Sequence, residues 1–224
     1  MLRGEAEVTL RGNSAGLAVY RETLERIVEQ VQEMSRLVDD LLTLARSESD
    51  DIAFEEVPVD IGQMAAEALR EAAILGRPRG IRIDAAIDPD LIVDGDPQRM
   101  KQVLMIVLDN AVKYSERDSV VRLEASADDR GALLVIRNPY AVDDDELPRL
   151  FDRFYRGRDA ATLTSAGSGL GLAIAKWIVE KQGGDIALRR QEADSIEVVI
   201  RFPLAEARGA IAVPPARVTA GATR

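Results

Sequence analysis

From Leu17 to Arg46 the chain carries apolar residues at Tyr20, Leu24, Ile27, Val31, Met34, Val38, Leu41 and Ala45, in steps that alternate four and three, with no proline or glycine between. A seam of that period over that length predicts a helix about 45 Å long whose apolar edge needs a facing helix. A shorter helical piece, Leu2 to Leu10, precedes it and is stopped by Gly12, Asn13 and Gly16, so the N-terminal quarter reads as an antiparallel hairpin. A hairpin alone cannot bury both faces. Self-pairing into a dimeric four-helix bundle is the simplest solution, and an intramolecular coiled coil is the alternative.

The seam stops near Ser47, and an acidic polar segment, Glu48 to Asp51, leads to Pro58. The expected division is a helical hairpin over 1–50, a linker over 51–57, a second domain over 58–204 and a tail over 205–224, whose Ala, Pro, Gly and Thr content without period predicts disorder. Within the second domain, helices are expected at Asp60 to Leu75, Pro97 to Tyr114 and Gly169 to Gln182, with a short one near Asp144 to Phe151. Strands are expected at Ile81 to Ile87, Leu91 to Val93, Val120 to Ala127 and Ala132 to Arg137, with a terminal hairpin of Asp185 to Gln191 and Ile196 to Pro203. Neighbouring strands joined by short turns predict an α+β two-layer sandwich, and an apolar content of 46% supplies its core.

Composition narrows the chemistry. The chain has no cysteine and no histidine, which removes disulfides, thiol chemistry, the usual zinc ligands and any imidazole base from its 224 residues. A net charge of -10, from 29 basic against 39 acidic residues, has the wrong sign for a nucleic-acid partner. No apolar run is long enough to span a bilayer, so the expectation is a cytoplasmic chain without a membrane segment of its own.

Two clusters carry candidate chemistry. Gly167-Ser168-Gly169-Leu170-Gly171 opens a helix after a small, polar loop. Such a turn lets backbone N–H groups and a helix N-terminus meet an anion. A plain helix start is the equal alternative, and no strand precedes the glycines as a dinucleotide fingerprint requires. The second cluster is Asn110, Lys113 and Tyr114 near the end of an apolar helix, an amide, an ammonium and a ring able to hold a metal-linked phosphate and stack a base. A buried helix merely ending there is the other reading. The acidic run Asp143 to Glu146 is expected to cap a helix N-terminus.

In chain order, Met34 to Arg46, Asp109 to Ser115, Leu150-Phe151-Asp152-Arg153-Phe154-Tyr155-Arg156 and the glycine loop resemble the dimerisation helix, N box, F box and second glycine box of bacterial sensor histidine kinases. The likeness covers about Leu2 to Leu204. It implies a dimerisation and phosphotransfer domain, then an ATP-binding domain of the type shared with gyrase. It further implies that Asn110 holds Mg2+ and phosphate, Lys113 reaches phosphates and Tyr114 packs on adenine. Gly167, Gly169 and Gly171 would form the hinge and phosphate turn, under a lid that runs from Arg156 to Ala166. The implied partners are a second copy or a competent histidine kinase, and a response regulator docked near Arg3, Glu5, Glu7, Arg21, Glu22 and Glu25.

The departures from the family's pattern shape the functional expectation. The phosphoacceptor histidine has no counterpart in the chain, either by truncation or by nature. The first glycine box, an Asp-x-Gly-x-Gly in the family, aligns with Arg137, Pro139 and Ala141, and the polar residue that opens the N box is Ile106. With Arg137 as a pure donor where adenine needs an acceptor, binding would lose on the order of 2 to 5 kcal/mol, tens to thousands in affinity. The expectation is therefore a kinase-shaped protein, weak or unable in ATP binding, that acts by dimerisation and regulator docking. The alternatives are an ordinary ATP-dependent kinase core, and a stand-alone ATPase or serine kinase, against which the heptad hairpin and F box argue.

Overall fold

The computed structural model describes residues 17–47, 54–158, 167–192 and 194–204. The expected first helix, Leu2 to Leu10, most of the lid and the tail after Leu204 lie outside them, as do Arg3, Glu5 and Glu7. The long helix is present as α1, Leu17–Ser47. Its seam faces solvent: Leu24, Val31, Met34, Val38 and Leu41 are 48% to 61% exposed. A second set, seven residues apart, turns inward, with Leu44 buried and Gln30 and Leu37 beside the cavity described below.

The second domain begins earlier than expected. Val57, read as linker, opens strand β1, Val57–Asp60, which pairs antiparallel with β3, Ile92–Gly95. Phe54 already packs edge-on against Trp177, ring centroids 5.5 Å apart. Asp60 then caps α2, Ile61–Gly76, by accepting from the Gln63 N–H at 3.0 Å. Asp96 caps α3, Pro97–Tyr114, by accepting from Gln98 and Arg99 at 3.0 Å each, with Pro97 filling a first-turn position that needs no donor.

The main sheet holds five strands in the order β2, β4, β5, β7, β6. These are β2 Arg82–Ile87, β4 Val120–Asp128, β5 Gly131–Pro139, β6 Asp185–Glu192 and β7 Ser195–Phe202. Only β2 and β4 run parallel; the other neighbours are antiparallel. Helices α2, α3 and α4, Gly171–Lys181, cover one face. The α+β two-layer sandwich is thus as expected. Along β5 the inner residues are Ala132, Leu134, Ile136 and Asn138, all buried, while Leu133, Arg137 and Pro139 alternate onto the other face. The short helix expected near Asp144 to Phe151 is a single 3₁₀ turn, Leu147–Arg149.

Candidate functional site

A cavity of about 590 Å³ opens between the last turn of α3, the start of α4, the end of β5, the inner face of β6 and β7, and α1. Asn110, Lys113, Tyr114, Arg156, Gly167, Gly169 and Gly171 all line it. Gly169 has φ +69°, and a Cβ there would sit 2.7 Å from Phe154 and Tyr155 backbone atoms, so no other residue fits without displacing them. Its carbonyl accepts from the Phe154 N–H at 2.9 Å, which ties the glycine turn to the segment before the lid. Lys113 is engaged: its ammonium lies 2.6 Å from the Asp109 carboxylate, one helical turn back. Tyr114 has an aromatic partner that sequence reasoning missed, Tyr140, with centroids 5.6 Å apart and planes tilted by 39°. Ile196, Val198 and Leu188 add an apolar wall.

Arg137 does not occupy the place expected of it. Its guanidinium lies on the sheet face away from the helices, where Nη1 donates to Glu124 at 2.8 Å and Nε to Glu197 at 3.0 Å. The Glu197 bond, more than the Glu124 bond, holds the guanidinium's pKa above its usual value. The residue facing the cavity is the next one, Asn138, 5% exposed. The donor-against-donor clash expected at adenine is therefore corrected: strand pleat, not residue count from the glycine loop, decides which side chain enters the site. Among described residues the non-glycine positions with positive φ are Asp90, Asp118 and Phe154, so Pro139 and Ala141 pass the turn without glycine's conformation. Ile106 does line the cavity, its methyl filling the space beside Gly171.

The histidine kinase-, DNA gyrase B- and HSP90-like ATPase family matches residues 95–206, and the His Kinase A (phospho-acceptor) domain matches residues 1–50. The chain belongs to the sensor histidine kinases. It is 30% identical over 208 residues to the signal transduction histidine-protein kinase BaeS of Escherichia coli K12, covering 91% of this chain and 43% of that protein. To the sensor protein DltS of Streptococcus agalactiae serotype V it is 31% identical over 182 residues, 81% of this chain and 46% of that one. The chain spans less than half the length of these curated relatives. Full-length ShkA, solved in complex with AMPPNP, superposes with a TM-score of 0.71 at 27% identity, over 86% of this chain and 40% of that one. The Acinetobacter baumannii histidine kinase AdeS gives the same TM-score at 20% identity, a likeness of fold, over 92% and 94% of the two chains.

The segment from Phe151 to Arg158 is held by the acidic run. Glu146, buried, accepts from the Tyr155 hydroxyl and the Arg158 backbone N–H, each at 2.9 Å. Arg158 spans Asp143 at 3.1 Å and Asp145 at 2.6 Å, and Arg190 pairs with Asp144. The expected role of these carboxylates as helix caps is corrected, since the 3₁₀ turn that follows has no side-chain cap. Arg149 lies 4.2 Å over the Tyr155 ring. Sequence reasoning also missed Arg79, whose guanidinium donates to the carbonyls of Val112 at 2.7 Å, Lys113, and Ser115 at 2.7 Å. It thereby closes the helix end that carries Lys113 and Tyr114, where orphan carbonyls and the dipole favour a cation. No helix among the described residues is long and apolar enough to cross a membrane.

Proposed function

We propose that this chain is the dimerisation and ATP-binding part of a sensor histidine kinase, competent to bind ATP with Mg2+. The observation that carries this is the placement of Arg137 outside the cavity and Asn138 inside it, which removes the reason to expect a lost base site. Asn110 would hold Mg2+ through its amide oxygen. Asn110 lines the cavity, and a single amide oxygen suits Mg2+ held largely by substrate phosphates and water. The ion would neutralise phosphate charge. The turn at Gly167 and Gly169 offers backbone N–H groups to the phosphates, Arg156 faces them from the foot of the lid, and Tyr114 with Tyr140 forms the stacking wall.

The phosphoryl acceptor has to come from outside these residues, because the sequence holds no histidine. A cytoplasmic site of action, a homodimer or pairing with a competent kinase through the α1 seam, and a response regulator docked beside Arg21, Glu22 and Glu25 complete the reading. Arg21 and Glu25 pair with each other at 2.9 Å on an exposed face.

A second reading, a kinase-shaped scaffold weak in ATP, draws support from Ile106 at the head of the N box and from the Lys113–Asp109 pair. Isothermal titration of the chain with ATP and Mg2+ separates the two. A Kd at or below about 100 μM, near 5.5 kcal/mol, supports the nucleotide site, and millimolar binding by folded protein supports the scaffold.

A further inference from the structure

The cavity is lined by a polar side chain that comes from the buried face of the sheet. Asn138 is 5% exposed on the inner face of β5 and lines the cavity. Asn138 pairs with Ile196 across the strands and shares the cavity lining with Tyr114, Tyr140 and Val198. An amide on such a face can hydrogen-bond a ligand that enters the cavity. A cavity with aromatic and aliphatic lining and a nearly buried amide suits the edge of a planar heterocycle, with the glycine turn left to the phosphates.

We propose that Asn138 reads the base of the bound nucleotide and that its amide makes the site tolerant at the purine 6-position, so that 6-oxo purine triphosphates bind beside ATP. This rests on the nucleotide-site reading above. An adenine edge offers a donor, the 6-amino group, next to an acceptor, N1. A hypoxanthine or guanine edge offers an acceptor, O6, next to a donor, N1–H. A carboxamide carries one acceptor and two donors on a planar head that can turn over. Turned one way, its oxygen accepts from the 6-amino group while its NH₂ donates to N1. Turned the other way, the NH₂ donates to O6 and the oxygen accepts from N1–H. A carboxylate at the same place could only accept, so it would match one group and face one acceptor on either edge, N1 of adenine or O6 of the 6-oxo base, and would hold both more weakly than the amide.

The test is calorimetric titration of the whole chain with ATP and with inosine triphosphate, both with Mg2+, since inosine triphosphate changes the 6-position without adding a 2-amino group. Affinities within about threefold of each other are expected. The Asn138→Asp variant should weaken both nucleotides at least tenfold while leaving their ratio within about threefold. If the unmodified chain binds ATP but inosine triphosphate more than tenfold more weakly, the tolerance is wrong while the nucleotide site stands. Unchanged affinities in a folded Asn138→Asp protein would equally remove Asn138 as the reader. If neither nucleotide binds, the nucleotide-site reading fails and takes this inference with it. The wild-type ratio alone decides should the variant not fold.

Discussion

Helices α1 and α3 are both proline-free inside, both amphipathic and both longer than four turns, yet they end in opposite surroundings. Met100, Val103, Leu104, Val107 and Leu108 of α3 are at most 1% exposed, whereas Leu24, Val31, Met34 and Val38 of α1 are 51% to 61% exposed. Both helices carry adjacent apolar pairs, 103 with 104 and 107 with 108 in α3, 27 with 28 and 41 with 42 in α1. The difference is what covers them. The broad face of α3 packs on the sheet and on two helices. In α1 Val28 and Leu42 are exposed along with the four-three seam, and Leu44 alone is buried among its described residues. A stripe left exposed at that period marks the place where a second helix is expected.

The largest effect should follow from damage to the broad face. Leu104→Ala is expected to cost about 2 to 5 kcal/mol in urea unfolding, through lost burial and the cavity left behind. Met34→Ala, measured in dilute monomeric protein, should cost under about 0.5 kcal/mol. Equal losses would mean that the α1 seam is already covered within one protomer.

Next, Ile27→Glu with Val31→Glu should weaken self-association at least a hundredfold, about 2.7 kcal/mol, with the unfolding of the nucleotide domain unchanged. Light scattering reads the mass directly. A wild-type chain that stays monomeric at tens of micromolar would break the comparison outright, because nothing would then occupy the seam.

How much of this was legible follows from the range of each signal. Helix α3 is read to the residue, because Asp96 and Pro97 start it and its broad stripe runs without interruption to Tyr114. The seam of α1 is equally plain, and the residues expected at the glycine loop and N box do converge on one cavity. Strand β1 escaped because Val57 to Asp60 is four residues long, contains Pro58 and gains its identity from β3, more than thirty residues on. The partners of the acidic run escaped for the same reason, since Arg190 is 46 residues from Asp144. The misplacement of Arg137 was avoidable. Ala132, Leu134 and Ile136 set the inner parity of β5, and that parity points to Asn138.

A smaller effect tests the end of α3, where the broad face stops and the candidate site begins. Arg79→Ala should lose about 1 to 3 kcal/mol in unfolding, because three carbonyls lose their donor. Smaller again is the outer face of the sheet. Arg137→Asp places a third carboxylate between Glu124 and Glu197 and should destabilise by about 1 kcal/mol without any gain in ATP affinity. A tenfold gain in ATP affinity would put Arg137 back in the site and reverse the parity argument.

The smallest expected effect is a titration, and it probes the side of the cavity opposite α3. Burial first, and then its hydrogen bond to Glu146, hold the Tyr155 hydroxyl above the ordinary phenol range, partly opposed by Arg149 and Arg158. The fold therefore favours the neutral phenol. Its contribution is fully present below the unfolded value near pH 10 and is lost as pH rises through the higher folded value. Tyr155 should ionise late in a phenolate absorbance titration, and Tyr155→Phe should delete that late step. Glu146→Gln should bring it earlier without abolishing it, since the amide keeps an acceptor but loses the charge, and burial remains. If the step removed by Tyr155→Phe is instead an early one, the Tyr155 hydroxyl is solvated and the acidic run does not hold the foot of the lid.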